Sequence, residues 1–174
     1  MIQKNKISQL LITCTIISLL LVSGCKISYN FTGVIISPDV KTFTVYYFPN
    51  RARSVNPTLS NDFVEKLKDT LTRQSSLSEQ NDNGDLMFEG QITEYDVRPM
   101  AIQKDDLAAK NRLTVGVKVK FTNNKDHGQD FERTFTSYED FEGNRTIMDV
   151  EGDLVPLIIE NLVTDIINAT IANW

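Results

Sequence analysis

Leu113, Val115, Val117, Val119 and Phe121 take every second position across nine residues, with polar or small residues between them. Successive side chains on a strand point to opposite faces, so this run demands a sheet with one buried face and one open face. A helix would scatter the same residues around its circumference. Leu86, Phe88 and Ile92 alternate with Met87, Glu89 and Gln91 and predict a strand before it. Phe131 and Phe135 open a strand after it that runs to about residue 141. The turn Asn123-Asn124-Lys125-Asp126-His127-Gly128 joins these last two as an antiparallel hairpin. Residues 42 to 48 are rich in β-branched and aromatic side chains and predict a first strand, stopped by Pro49-Asn50.

Two stretches follow the helical period instead. Leu59, Phe63, Leu67 and Leu71 recur every four residues, with Val64 alongside. Asn56-Pro57 supplies a cap and a first-turn proline for that helix, which runs to about residue 73. The second helix is expected to begin at Asp153, with Pro156 in its first turn, and to run nearly to Trp174. Its apolar arc is wide. Leu154, Ile158, Leu162 and Ile166 form one stripe; Val155, Ile159, Val163, Ile167 and Ile171 form another. Simple docking on a sheet needs an arc of roughly 100°. This helix is therefore either wedged between the sheet and the first helix or also in contact with another protein.

The predicted order is β-α-β-β-β-α. It describes an α+β two-layer sandwich, with two helices on one face of a mainly antiparallel four-stranded sheet. A chain of 174 residues with 41% hydrophobic and 24% charged residues is long enough to bury a core without staples. The net charge of −5 disfavours nucleic acid as a partner.

The amino terminus has a different character. Lys4 and Lys6 precede an apolar run from Ile7 to Val22, with no acid in residues 1 to 24. This is the layout of an export signal, and the run is shorter than the roughly 20 residues of a spanning helix. It ends in Val22-Ser23-Gly24-Cys25, which resembles a bacterial lipobox. Small residues before the cleavage point admit a peptidase, and the Cys25 thiol is the nucleophile that takes up a diacylglycerol. Acyl chains then hold the protein to a membrane at about 0.8 kcal/mol per buried methylene. Residues 1 to 24 are expected to be a lipoprotein signal peptide, 25 to 40 a lipidated cysteine with an extended lead, and 41 to 174 a single domain. A short strand is possible near residues 31 to 36. The other cysteine, Cys14, leaves with the signal, so the mature domain has no disulfide and no thiol enzyme chemistry. Losing Lys4 and Lys6 moves the charge from −5 to −7. Lys26 follows Cys25 with no acidic cluster nearby, which favours the outer membrane over retention at the inner one.

Candidate chemistry is sparse. His127 is the only histidine, and the sequence places neither a nucleophile nor an orienting acid around it. No spacing of ligands suggests a metal site, and no glycine-rich loop suggests a phosphate cradle. The acid pairs Glu94 with Asp96 and Asp105 with Asp106 read as solvated charges. Arg112, Lys118 and Lys120 share the face of their strand opposite the apolar one. That row is a candidate contact for phosphates, a sugar acid or another anion, or it pairs with Glu89 or Glu132 on neighbouring strands. Arg51 and Arg53 are a weaker candidate of the same kind.

Several segments, taken in order, resemble a known family. They are Tyr29-Asn30-Phe31-Thr32-Gly33 after the lipobox, Tyr47-Phe48-Pro49-Asn50-Arg51-Ala52, Asn56-Pro57-Thr58-Leu59-Ser60, and Asp85-Leu86-Met87-Phe88-Glu89-Gly90. Asn111-Arg112-Leu113-Thr114, Asp165-Ile166-Ile167-Asn168 and the ending Ala172-Asn173-Trp174 complete them. Their order is similar to that of the LPS-assembly lipoprotein family, LptE. The resemblance implies a non-enzymatic lipoprotein on the periplasmic side of the outer membrane, with no cofactor beyond the lipid on Cys25. It implies one main partner, the outer-membrane LPS-transport β-barrel, whose lumen the lipoprotein plugs and whose assembly it assists. Lipopolysaccharide itself is a further implied ligand. The competing reading is a generic lipid-anchored scaffold or binding module of another envelope complex.

Overall fold

The computed structural model describes residues 36–54, 56–100 and 109–171. The chain divides into two units, residues 1–32 and 33–174, and every described residue belongs to the second. The export signal, Cys25, most of the strand expected near residues 31 to 36, Asp105, Asp106 and the ending Ala172-Asn173-Trp174 lie outside the described residues.

The described elements are β1 (Thr42–Val45), α1 (Leu59–Gln74), β2 (Ser78–Glu79), β3 (Leu86–Pro99), β4 (Lys110–Asn123), β5 (Phe131–Glu142) and α2 (Ile147–Thr170). The sheet order is β2-β1-β3-β4-β5. β3, β4 and β5 are antiparallel, whereas β1 runs parallel to both β2 and β3. The α+β sandwich stands, with five strands rather than four. The additional strand is β2, two exposed residues inside a polar, turn-rich stretch. Two residues are too few to display an alternation, so nothing in the sequence marked it.

Because β2 and β3 flank β1 on opposite sides, the loop between them must cross β1. It does so at Gly84, where a Cβ would lie 2.7 Å from the Phe43 carbonyl carbon and 2.8 Å from the Thr44 nitrogen. Only glycine admits that approach without displacing backbone. The Thr44 hydroxyl fastens the crossing, donating to the Gln80 carbonyl (2.9 Å) and accepting from the Gly84 N–H (3.0 Å). Asp85 Oδ2 accepts the N–H groups of Lys41 (2.8 Å), just before β1, and of Thr42 (3.1 Å), its first residue.

Phe43, Leu86, Phe88, Ile92, Leu113, Val115, Val117, Val119 and Phe121 are buried, and α1 and α2 cover that face. Phe48 packs edge-on against Phe63 of α1, with ring centroids 5.1 Å apart. Every predicted apolar position of α1 is buried. So are Val155, Ile158, Ile159, Leu162, Val163, Ile166 and Ile167 of the predicted α2 arc, with Ile171 at its C-cap, while Leu154 is half-buried. The width of that arc is thus used by the sheet and by α1 within the domain.

Both helix starts differ from expectation. Asn56 Oδ1 accepts the N–H groups of Thr58 (2.9 Å) and Leu59 (3.0 Å), forming a turn that spans Pro57. Pro57 therefore precedes α1 instead of sitting in its first turn. α2 begins at Ile147, not Asp153, under a capping box in which Asp149 Oδ2 accepts the Thr146 N–H (2.9 Å). Pro156 consequently lies inside the helix. It has no N–H to give the Gly152 carbonyl four residues back, and Gly152 is solvent-exposed.

Candidate functional site

The open face of the sheet carries the basic row. Register sets Arg112 between Arg98 and Asp140, Lys118 between Gln91 and Thr134, and Lys120 between Glu89 and Glu132. Each of the three cations meets a carboxylate on a neighbouring strand. Arg112 is bidentate to Asp140, with Nε to Oδ1 at 2.7 Å and Nη2 to Oδ2 at 3.0 Å. Its guanidinium carbon also lies 3.6 Å from the centroid of the Tyr138 ring. Lys120 donates to Glu89 directly opposite, and Lys118 pairs diagonally with Glu132. Glu94 and Asp96 both turn to Arg98, Asp96 at 2.6 Å and Glu94 at 3.6 Å.

Electrostatics follow the geometry. The Arg112 guanidinium holds the Asp140 carboxyl below its ordinary value, against a smaller opposing effect of burial. The Lys118 ammonium does the same for Glu132. Lys120 is raised by its bond to Glu89. These are charge-assisted pairs at a solvated surface, where water screens each of them. An anion approaching this face meets a lattice of alternating signs.

A groove of about 430 Å³ separates the start of α1 from α2, lined by Asn56, Thr58, Asp62, Lys66, Glu151 and Pro156 among others. At its base Glu151 Oε1 accepts from Asn56 Nδ2 (2.8 Å) and from the Tyr95 hydroxyl. Burial, then the Glu151 carboxylate, push the Tyr95 phenol well above its usual value. Sequence reasoning missed this network. Its three members lie far apart along the chain and carry no local signal beyond Asn56 as a cap.

The remaining candidates do not gather. His127 is exposed in a 3-10 turn, and its Nδ1 lies 2.9 Å from Asp130 Oδ2. Arg51 and Arg53 are exposed. Among the described residues, no group of three His, Cys, Asp or Glu side chains could hold a metal ion. No described helix is long and apolar enough to cross a membrane.

The described domain is a two-layer α+β sandwich whose open sheet face carries cross-strand ion pairs. Comparison with known proteins gives its family. The chain matches the model of the LptE family, lipopolysaccharide-assembly, over residues 40–170, and it belongs to that family. The family is non-enzymatic and serves lipopolysaccharide assembly. A minor lipoprotein from Acinetobacter baumannii shares the fold, with a TM-score of 0.52 and 20% identity over 76% of this chain and 94% of that one. The PelC dodecamer from Paraburkholderia phytofirmans is similar at a TM-score of 0.47 and 11% identity, over 80% of this chain and 95% of that one. No curated protein matches the sequence.

Proposed function

We propose that this chain is an outer-membrane lipoprotein that plugs the LPS-transport β-barrel, assists its assembly and supports lipopolysaccharide insertion at the cell surface. The observation that carries the reading is the family match, which starts at residue 40, shortly after a lipobox cysteine at 25. On this reading residues 1 to 24 are removed as a signal peptide. Cys25 bears the acyl chains, and residues 25 to 40 lead from the membrane to the domain. The open sheet face supports the plug role. Barrel interiors are polar, and a surface of mutually satisfied ion pairs stands in such a lumen at little desolvation cost.

Within this reading, Arg112, Lys118 and Lys120 are the proposed contact for the anionic groups of lipopolysaccharide. Their carboxylate partners oppose that contact, so binding there requires an exchange in which an anion displaces Asp140, Glu132 or Glu89.

The test is a mild-detergent pull-down of the tagged lipoprotein from outer membranes, with partners identified by mass spectrometry. The expected result is a stoichiometric large β-barrel. Recovery of a different envelope complex would replace the plug reading with that of a general lipid-anchored scaffold. Cys25→Ser is expected to move the chain out of the membrane fraction.

A further inference from the structure

The described sheet ends at β5, a strand of 12 residues with no described strand beyond it. Its backbone polarity can be read from its neighbours. The Met100 N–H donates to the Lys110 carbonyl, and the Asn124 N–H to the Asp85 carbonyl. Even-numbered residues of β4 therefore point their backbone groups at β3, and odd-numbered ones at β5. Register pairs odd with odd across β4 and β5, including Val115 with Ser137 and Val117 with Phe135. The even residues Glu132, Thr134, Thr136, Tyr138 and Asp140 thus aim their N–H and C=O groups at the free edge. A long edge with no described strand beside it is a template for another strand.

The side chains specify which strand. Arg133 is exposed, with its guanidinium over the rings of Phe131 (4.6 Å) and Phe135 (5.5 Å) and no carboxylate partner among the described residues. Glu139 engages no cation or hydrogen-bond donor there either. These two unsatisfied charges of opposite sign lie equally far from Thr136, one on each side. A groove of about 450 Å³ runs beside this edge, between β5 and α2, and is lined by Ser137, Glu139, Asn161, Thr164 and Asp165. It holds two acids and no base.

We propose that β5 pairs antiparallel with β5 of a second copy of this chain, about a twofold axis at Thr136. This goes beyond the barrel reading and does not depend on it. In that register Thr136 faces its own copy through outward backbone groups, which is the self-complementary arrangement a twofold contact requires. Arg133 faces the second copy's Glu139, and Glu139 faces the second copy's Arg133, whose guanidinium enters the acidic groove. Phe131 faces Phe141, and Phe135 faces Ser137. Glu132 faces Asp140, but each of these acids is already neutralised by Lys118 or Arg112 within its own chain.

Charge exchange tests the register. The full lipoprotein in mild detergent is followed by sedimentation velocity, with the bound detergent subtracted. Arg133→Glu and Glu139→Arg, taken singly, each place two like-charge pairs across the axis and are expected to weaken the dimer by about tenfold. The double variant restores opposite charges and is expected to dimerise within about threefold of the parent. A dimer indifferent to both single changes, or unrestored by the double, overturns the proposal. So does a chain that stays monomeric at all concentrations. Thr136→Cys gives an independent readout on a conservative variant. A hydrogen-bonded antiparallel pair sets its Cα atoms about 5.5 Å apart, within disulfide range. Oxidation is expected to yield a covalent dimer from Thr136→Cys and none from Glu142→Cys, far from the axis. Equal yields from both would sink the register. Loss of the barrel in the pull-down would leave these results unaffected.

Discussion

Arg112 and Asp140 sit directly opposite each other on β4 and β5 and share two hydrogen bonds, with Tyr138 stacked against the guanidinium. The pair converts the most conspicuous cation of the open face into a neutral unit. If the row contacts lipopolysaccharide, its partners limit the affinity. Arg112→Ala, Lys118→Ala and Lys120→Ala together are expected to lower binding to lipopolysaccharide-containing vesicles by about tenfold. Asp140→Asn, Glu132→Gln and Glu89→Gln together free the same cations and are expected to raise it by a similar factor. Vesicle co-sedimentation checks both. Unchanged binding in the first variant removes the row from any transfer role.

Asp85 gives the fold a defined acid sensitivity. Burial pushes its pKa up, but the N–H groups of Lys41 and Thr42, the Lys125 ammonium and the Thr42 hydroxyl outweigh that and hold it at about 2. The folded value lies below the unfolded one of about 3.9. Its stabilisation is therefore complete above about pH 5 and is lost as the pH falls toward 2. Asp85→Asn is expected to lower the urea midpoint at pH 6 and to flatten its fall between pH 5 and pH 3. A variant with the parent's slope in that window would assign the sensitivity to other carboxylates.

The loop that crosses β1 depends on Thr44 and Gly84 together. Thr44 is 1% exposed, and its hydroxyl satisfies one donor and one acceptor. Thr44→Val keeps the shape and strands both partners, at a cost of about 1–3 kcal/mol. Gly84→Ala drives a methyl into the β1 backbone and is expected to cost at least as much. Thermal unfolding should fall by about 2–4 °C per kcal/mol in a domain of this size. An unchanged melting temperature in Gly84→Ala would mean that the loop does not cross where the structure places it.

How legible each part was depended on how local its signal is. β4 announced itself because five apolar residues alternate, and Leu59, Phe63, Leu67 and Leu71 announced α1 by their period. β2 carried no pattern, since two exposed residues earn their place only by lying beside Thr42 and Phe43. The start of α2 was misplaced because Asp153 resembled a cap and Pro156 a first-turn proline, while Thr146 and Asp149 formed an unrecognised capping box. Pro156 is tolerated there because Gly152, whose carbonyl loses its usual N–H donor, lies on the exposed side of the helix. The sequence placed Arg112, Lys118 and Lys120 on one face and named Glu89 and Glu132 as possible partners. It did not bring Asp140 to Arg112, because that pairing depends on the register of a separate hairpin arm.

Glu151 ties three elements together, and its removal should be felt in all of them. It accepts from Asn56 ahead of α1 and from Tyr95 on β3, while belonging to α2. Tyr95 is 7% exposed, so its hydroxyl has little access to water if the acceptor is lost. Glu151→Ala is expected to destabilise the domain by about 1–3 kcal/mol, chiefly through that stranded hydroxyl. Glu151→Gln keeps an acceptor oxygen and is expected to recover most of the loss. Tyr95→Phe removes the donor instead, and combining it with Glu151→Ala should cost less than the sum of the two. Additive effects in denaturant unfolding would show that the two groups do not interact, and that Asn56 alone anchors Glu151.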